Sequence, residues 1–358
     1  MYKRILSFLL AALMLLACTA CGGTSEDTAD NIDNNIPEEN VDPVPEPEPE
    51  PEIPAIVNPL TGEPMEDEEL AKARPVAVML NNIHVALPQH GQSDADMIFE
   101  FNVEGGITRM VAFYQDPSQA GTIGSVRSAR PCFVETVIGM DAIYFHAGGS
   151  GAARNMISNY GVPSISKEGD PYWRDTERRK TMSYEHTLMT SGENIANYLE
   201  SSSVRRQHEE DYIYPVTYVE VATPEGGQAA NHISVRFSNY KTGLFDYDAE
   251  SGLYMISEYN APYVDGNTGE QVGTTNLLVL RTSVTNSGDA KGHMNIDLEG
   301  TGEGVFFCGG KAEPITWSKA SIYEPFTYYH ADGTPLSLQV GHSYICVIGL
   351  DAELTYGE

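Results

Sequence analysis

Arg127 and Arg130 stand three residues apart in Arg127-Ser128-Ala129-Arg130-Pro131. A guanidinium is a planar fork of donors that grips a carboxylate or phosphate with two parallel hydrogen bonds. Pro131 suits the first turn of a helix, where backbone N–H groups are free to meet an anion. The chemistry this spacing offers is anion recognition. Arg109, Arg174 and His186 join it as candidate ligand-binding residues if the fold gathers them. The competing reading is internal ion pairing with Asp96, Glu100 or Glu104.

A second pattern offers nucleophilic chemistry. Phe145-His146-Ala147-Gly148-Gly149-Ser150-Gly151 puts a serine at an expected strand-to-helix turn, with His146 or His186 as base and Asp141, Asp170 or Asp175 as orienting carboxylate. The hydrolase elbow G-x-S-x-G forces its serine outward, but Ala152 replaces the last glycine here. Ser150, His186 and Asp175 are therefore weak catalytic candidates, beside a plain tight connection. The 9 histidines are scattered and form no H-E-x-x-H, so no metal or other cofactor is assigned. Cys132, Cys308 and Cys346 remain after maturation, and Cys308 and Cys346, on expected strands of one domain, either bridge or remain buried thiols.

The elements that must position these residues differ between the two halves of the chain. Strands are expected at residues 75–80, 97–103, 108–114 and 142–146, with helices at 131–139, 152–160 and 192–199. This alternation indicates an α/β or α+β mixed domain over residues 72–210. A polar run near 201–211 marks the boundary. Residues 211–358 read as a mainly antiparallel β domain, with strands at 233–237, 242–247, 252–259, 276–281, 294–298, 304–307, 326–329 and 343–348. A sandwich or partly closed barrel is expected for it.

The N-terminus gives the location. Lys3 and Arg4 precede an apolar run from Ile5 to Ala17, too short for a spanning helix of about 20 residues, so residues 1–17 read as a signal peptide. Leu15-Leu16-Ala17-Cys18 resembles a lipobox, making Cys18 the expected site of lipid attachment, with Cys21 as the alternative. Several acyl chains on one cysteine would hold the chain to the membrane. Residues 22–71 carry 16 acidic residues and no Lys or Arg, including a Pro-Glu alternation from Pro43 to Glu52. Residues 18–71 therefore read as a lipidated, acidic, disordered tether. The whole chain has a net charge of −30, which excludes nonspecific nucleic-acid binding.

Several stretches together resemble the YerB-type bacterial lipoproteins, a family described as a two-part domain of unknown function. They are Arg74–Asn82, Ala95–Glu100, Glu104–Met110, Gly121–Pro131, Tyr172–Asp175, Tyr184–Leu188, Gly310-Lys311 and Ile315–Trp317. The resemblance implies a lipoprotein with two parts and brings no catalytic residues. At one point the chain departs from the family pattern, with Glu185 before His186 in place of proline. The combined reading is a membrane-anchored binding or scaffolding lipoprotein on the outer face of the cytoplasmic membrane, recognising an anionic envelope ligand or an envelope protein. The alternative is an envelope hydrolase or phosphotransferase acting on cell-wall glycan, peptide or phosphorylated polymer.

Overall fold

The computed structural model describes residues 56–358 apart from Asp211 and Pro215. The expected signal peptide, Cys18, Cys21 and the expected tether up to residue 55 lie outside the described residues. The last part of the expected tether does not behave as one. Leu60 is 1% exposed, Asn58 Nδ2 donates to Asp96 at 2.8 Å, and Glu68–Ala71 forms a short helix capped by Asp67. Acidic composition predicted solvation there, but one buried leucine and a capped turn are enough to seat the segment on the body.

Val76–Asn81, Met97–Asn102 and Thr108–Tyr114 are buried at every position. Near-continuous apolar strands of this kind need cover on both faces. They lie inside an 11-stranded sheet whose path runs Gln228–Ala229, Lys311–Lys319, Gly300–Cys308, Asn276–Thr282, Ser343–Gly349, Met97–Asn102, Thr108–Tyr114, Val76–Asn81, Ile143–Phe145 and Ser164–Ile165, with Thr327–His330 added on Lys311–Lys319. The first half of the chain mixes helices with strands, and the second is almost entirely β. Ser343–Gly349 runs parallel to both Met97–Asn102 and Asn276–Thr282, so one sheet carries strands of both halves.

The two faces bury different things. Val76, Val78, Leu80, Ile98, Ala112 and Tyr344 point into a core shared with Ile233, Val235, Phe245 and Ile256 of a 6-stranded, largely antiparallel sheet. Ala77, Met79, Phe99, Phe101 and Val111 point the other way, against Phe133 and Val137 of the helix Pro131–Gly139. Period-two alternation is what separates the sets.

Charge is buried between the sheets. Glu100, Lys241 and Glu258 are at most 1% exposed, and the Lys241 ammonium lies 3.3 Å from Glu100 and in contact with Glu258. Glu100 also accepts hydrogen bonds from Thr108 Oγ1 (2.5 Å), Asn82 Nδ2 (2.9 Å) and Tyr344 OH (2.7 Å). Burial lowers the Lys241 pKa while the Glu100 charge raises it. Such a group is tolerated only because its partners are fixed around it.

The three cysteines among the described residues, Cys132, Cys308 and Cys346, are free and buried. Cys308 and Cys346 belong to the cores on opposite faces of the sheet, which keeps their sulfurs apart. Burial pushes the Cys132 thiol up to about 12 and Cys308 to about 11, so neither is a thiolate at neutral pH.

Candidate functional site

The arginine candidates meet where the central strands end. Arg109 is the cross-strand partner of Asn81, and Glu104 lies in the tight turn joining the strands Met97–Asn102 and Thr108–Tyr114. Glu104 accepts from both Arg109, at 2.6 Å, and Arg130, whose Nε donates at 2.8 Å. Both guanidiniums also donate to the Ser128 carbonyl, at 2.9 and 3.4 Å, and Arg130 donates to Ala129 O at 2.8 Å. Burial would raise the Glu104 pKa, but the Arg130 hydrogen bond and the charges of Arg109 and Arg130 hold it at about 2. Burial, with help from Arg130, lowers Arg109 to about 9, which still leaves it charged at neutral pH.

Arg127 is paired less completely. Its guanidinium reaches Glu185 through a carboxylate oxygen and the backbone carbonyl, each at 3.4 Å, and its Nε is buried with no hydrogen-bond partner among the described residues. The Glu185 side chain is 57% exposed against 17% for Arg127. One solvated carboxylate at that distance supplies little attraction.

His186 packs beside this arginine with its ring 6% exposed. Its Nδ1 accepts from Asn81 Nδ2 at 2.9 Å, and Asn81 also donates to Ser125 Oγ at 3.3 Å. Ser125 in turn donates its N–H to Gln89 Oε1 at 2.5 Å. Burial, then the Arg127 charge, lowers the His186 pKa, so the ring is neutral at pH 7. Arg174 sits on the other side of the Tyr184–His186 turn. It bonds Glu168 and the Tyr184 carbonyl (2.7 Å), with its guanidinium 3.7 Å over the Tyr184 ring.

The nucleophile candidates are not assembled. Ser150 is the N-cap of the helix Gly151–Asn159, its Oγ accepting from Ala153 N at 3.2 Å. His146 bonds Gly148 O at 2.6 Å and Ser164 Oγ at 2.7 Å. Asp175 Oδ1 accepts from the N–H groups of Glu177 (2.8 Å) and Arg178 (3.1 Å), and Asp141 pairs with Arg74, Arg205 and His208. No hydrogen bond joins Ser150, His186 and Asp175 among the described residues. The Ser150→Ala variant should lose about 1 kcal/mol of stability, the usual value of a helix cap, in urea unfolding. A loss below about 0.3 kcal/mol would argue against the cap.

Sequence reasoning missed several polar residues here. Asn81 and Asn82 follow an apolar run and suggest an exposed turn, yet both are fully buried. Arg178 is 8% exposed and clamps the carbonyls of Ala86 (2.5 Å), Pro88 (2.8 Å) and His186 (3.2 Å). Nothing local signals carbonyl partners some ninety residues away. Among the described residues no group of three or more His, Cys, Asp or Glu side chains is arranged to hold a metal ion, and no helix is long and apolar enough to cross a membrane.

Residues 60–205 match the model of "Protein of unknown function (DUF3048) N-terminal domain", and residues 233–345 that of "Protein of unknown function (DUF3048) C-terminal domain". A Bacillus subtilis (strain 168) protein named "Putative lipoprotein YerB" is 30% identical over 271 residues, which is 74% of this chain and 78% of that protein. The chain belongs to the DUF3048 family. The crystal structure of YerB from Bacillus subtilis is similar to it with a TM-score of 0.71 and 27% identity, covering 84% of this chain and 99% of that one. In this DUF3048 chain the first match contains the whole arginine cluster, and the second contains Lys241 and Glu258.

Proposed function

We propose that the protein is a lipid-anchored binding protein of the cell envelope, held on the outer face of the cytoplasmic membrane, and that it grips an anionic group of its ligand through Arg127. The lipobox-like Cys18, with Cys21 as alternative, and the name of the Bacillus subtilis relative support the anchor. The division into residues 72–210 and 211–358 enters this proposal as two regions of the chain, because one sheet carries strands of both.

The incomplete pairing of Arg127 carries the binding reading. Three arginines at the strand ends, Arg109, Arg127 and Arg130, are met by one partly buried carboxylate, Glu104, and one exposed one, Glu185. A phosphate or carboxylate of a ligand can displace Glu185 and take two donors from Arg127, with the neutral His186 beside it. Arg109 and Arg130, locked on Glu104, keep the local potential positive. Among the described residues no aligned nucleophile and base accompany them, which supports binding over hydrolysis.

The test is calorimetric titration of the full-length chain in detergent with inorganic phosphate. Arg127→Ala should weaken binding about tenfold, as expected for losing a charge-assisted hydrogen bond. Glu185→Gln should tighten it by removing the competitor. Equal affinity in the Arg127→Ala variant would rule the site out.

A further inference from the structure

A second, chemically different site lies on the other side of the Glu104–Gly106 turn. A wide cleft of about 790 Å³ opens between this turn, the Ser238–Tyr240 turn and the loop running from Asn286 to Met294. Its size is that of a ligand site. Its lining is mostly polar, with three asparagines, glycines and Tyr240, and Met294 as its one large apolar side chain.

The walls are fixed. Ser238 Oγ donates to the Gly106 carbonyl at 2.5 Å and accepts from the N–H groups of Tyr240 and Lys241, each at 3.0 Å. Tyr240 is 55% exposed, yet its ring stands edge-on to Tyr259 at 6.0 Å. Tyr259 is itself tied by its hydroxyl to Asn82 O at 2.6 Å. A large ring is therefore held out in solvent in one orientation.

Two of the amides keep free donors. Asn102 is nine-tenths buried in the cleft wall, and its Oδ1, without a partner among the described residues, lies beneath the accessible surface and is not open to a ligand. Asn239 and Asn286 use their side-chain oxygens on Arg236 (3.1 Å) and Gly288 N (2.8 Å), which leaves their NH₂ groups as donors. Charge does not decide the ligand, because Asp289 and Lys291 offset one another in the lining. The chain as a whole, at −30, repels polyanions.

We propose that this cleft binds a neutral glycan strand. The free NH₂ groups of Asn239 and Asn286 offer donors to sugar hydroxyls or to the carbonyl of an N-acetyl group. The face of a tyrosine covers the C–H face of a pyranose while its hydroxyl stays wet. An apolar peptide would leave the asparagines unpaired, and a phosphorylated polymer would meet no net positive charge here. This site uses none of the arginines of the anion reading and stands without it.

The experiment is calorimetric titration of the full-length chain in detergent with chitohexaose and with maltohexaose. Saturable binding of at least one is expected. Tyr240→Ala should weaken it at least tenfold while Tyr240→Phe retains it, because the ring and not the hydroxyl makes the platform. The Tyr240 side chain is exposed, so folding should survive, and circular dichroism checks this. Ser150→Ala, remote in role, should bind as the parent does. Failure of the folded parent to bind either glycan overturns the proposal, as does equal binding by Tyr240→Ala.

Discussion

Replacing Glu104 by glutamine should destabilise the protein by about 3 kcal/mol at pH 7, the order found when one partner of a buried ion pair is removed. The substitution keeps shape and one acceptor oxygen but strips the charge that Arg109 and Arg130 share. Arg109 is 2% exposed, with a buried Nε that has no partner among the described residues, and water cannot replace the lost carboxylate there. The pH dependence follows from the same geometry. Glu104 has a folded pKa of about 2 against an ordinary 4.5, so it is a depressed carboxylate. Its contribution is fully present above pH 4.5 and is lost as pH falls towards 2. The difference between parent and Glu104→Gln should therefore shrink steadily over that range in urea unfolding. A difference that stays constant from pH 7 to pH 3 would show that lost packing, not charge, is responsible.

A comparable loss, about 3–5 kcal/mol, is expected for Lys241→Met. That change leaves Glu100 and Glu258 facing one another without the cation between them. Adding Glu258→Leu should recover most of the stability. Glu100 would then keep its three donors Thr108, Asn82 and Tyr344, and the rest of the site would become apolar. Unfolding midpoints of the two single variants and the double variant form a cycle that measures the coupling. Additive losses would mean that the lysine and Glu258 act independently. Because Glu100 belongs to the first half of the chain and Lys241 to the second, the loss should appear in one cooperative transition.

Much of the element map was legible because it depends on neighbours along the chain. Val76–Asn81 reads as a buried strand from its own apolar run, and Pro131 opens the helix Pro131–Gly139. Lys311–Lys319 was hidden, since Pro314 argues against a strand. The sheet accommodates it opposite Val305. The sandwich or barrel expected for the second half was also too local a picture. Asn276–Thr282 and Ser343–Gly349 instead join the first half's sheet in parallel, a pairing between residues that no turn connects.

The site was legible in its residue types and not in its partners. Arg109, Arg127 and Arg130 do lie together, and Glu104 was among the carboxylates weighed against them. Which arginine is left incompletely paired could not be read, because that depends on where Glu185 and Glu104 end up in space. Ser150 shows the same limit. Its neighbours suggest an elbow, but its hydroxyl is committed to Ala153 N at the start of a helix.

By itself the sequence determined the mixed helix-and-strand first half and β second half, the family, the acidic character and the arginines available for an anion. Periodicity, composition and short motifs carry these, and they are properties of adjacent residues. Only the tertiary structure decided that Glu104 serves two arginines, that Lys241 is enclosed between two carboxylates, and that Asn102 and Tyr240 face one cleft. Those facts depend on burial and on contacts between distant segments, where desolvation sets which charges are paired and which are left open to a ligand.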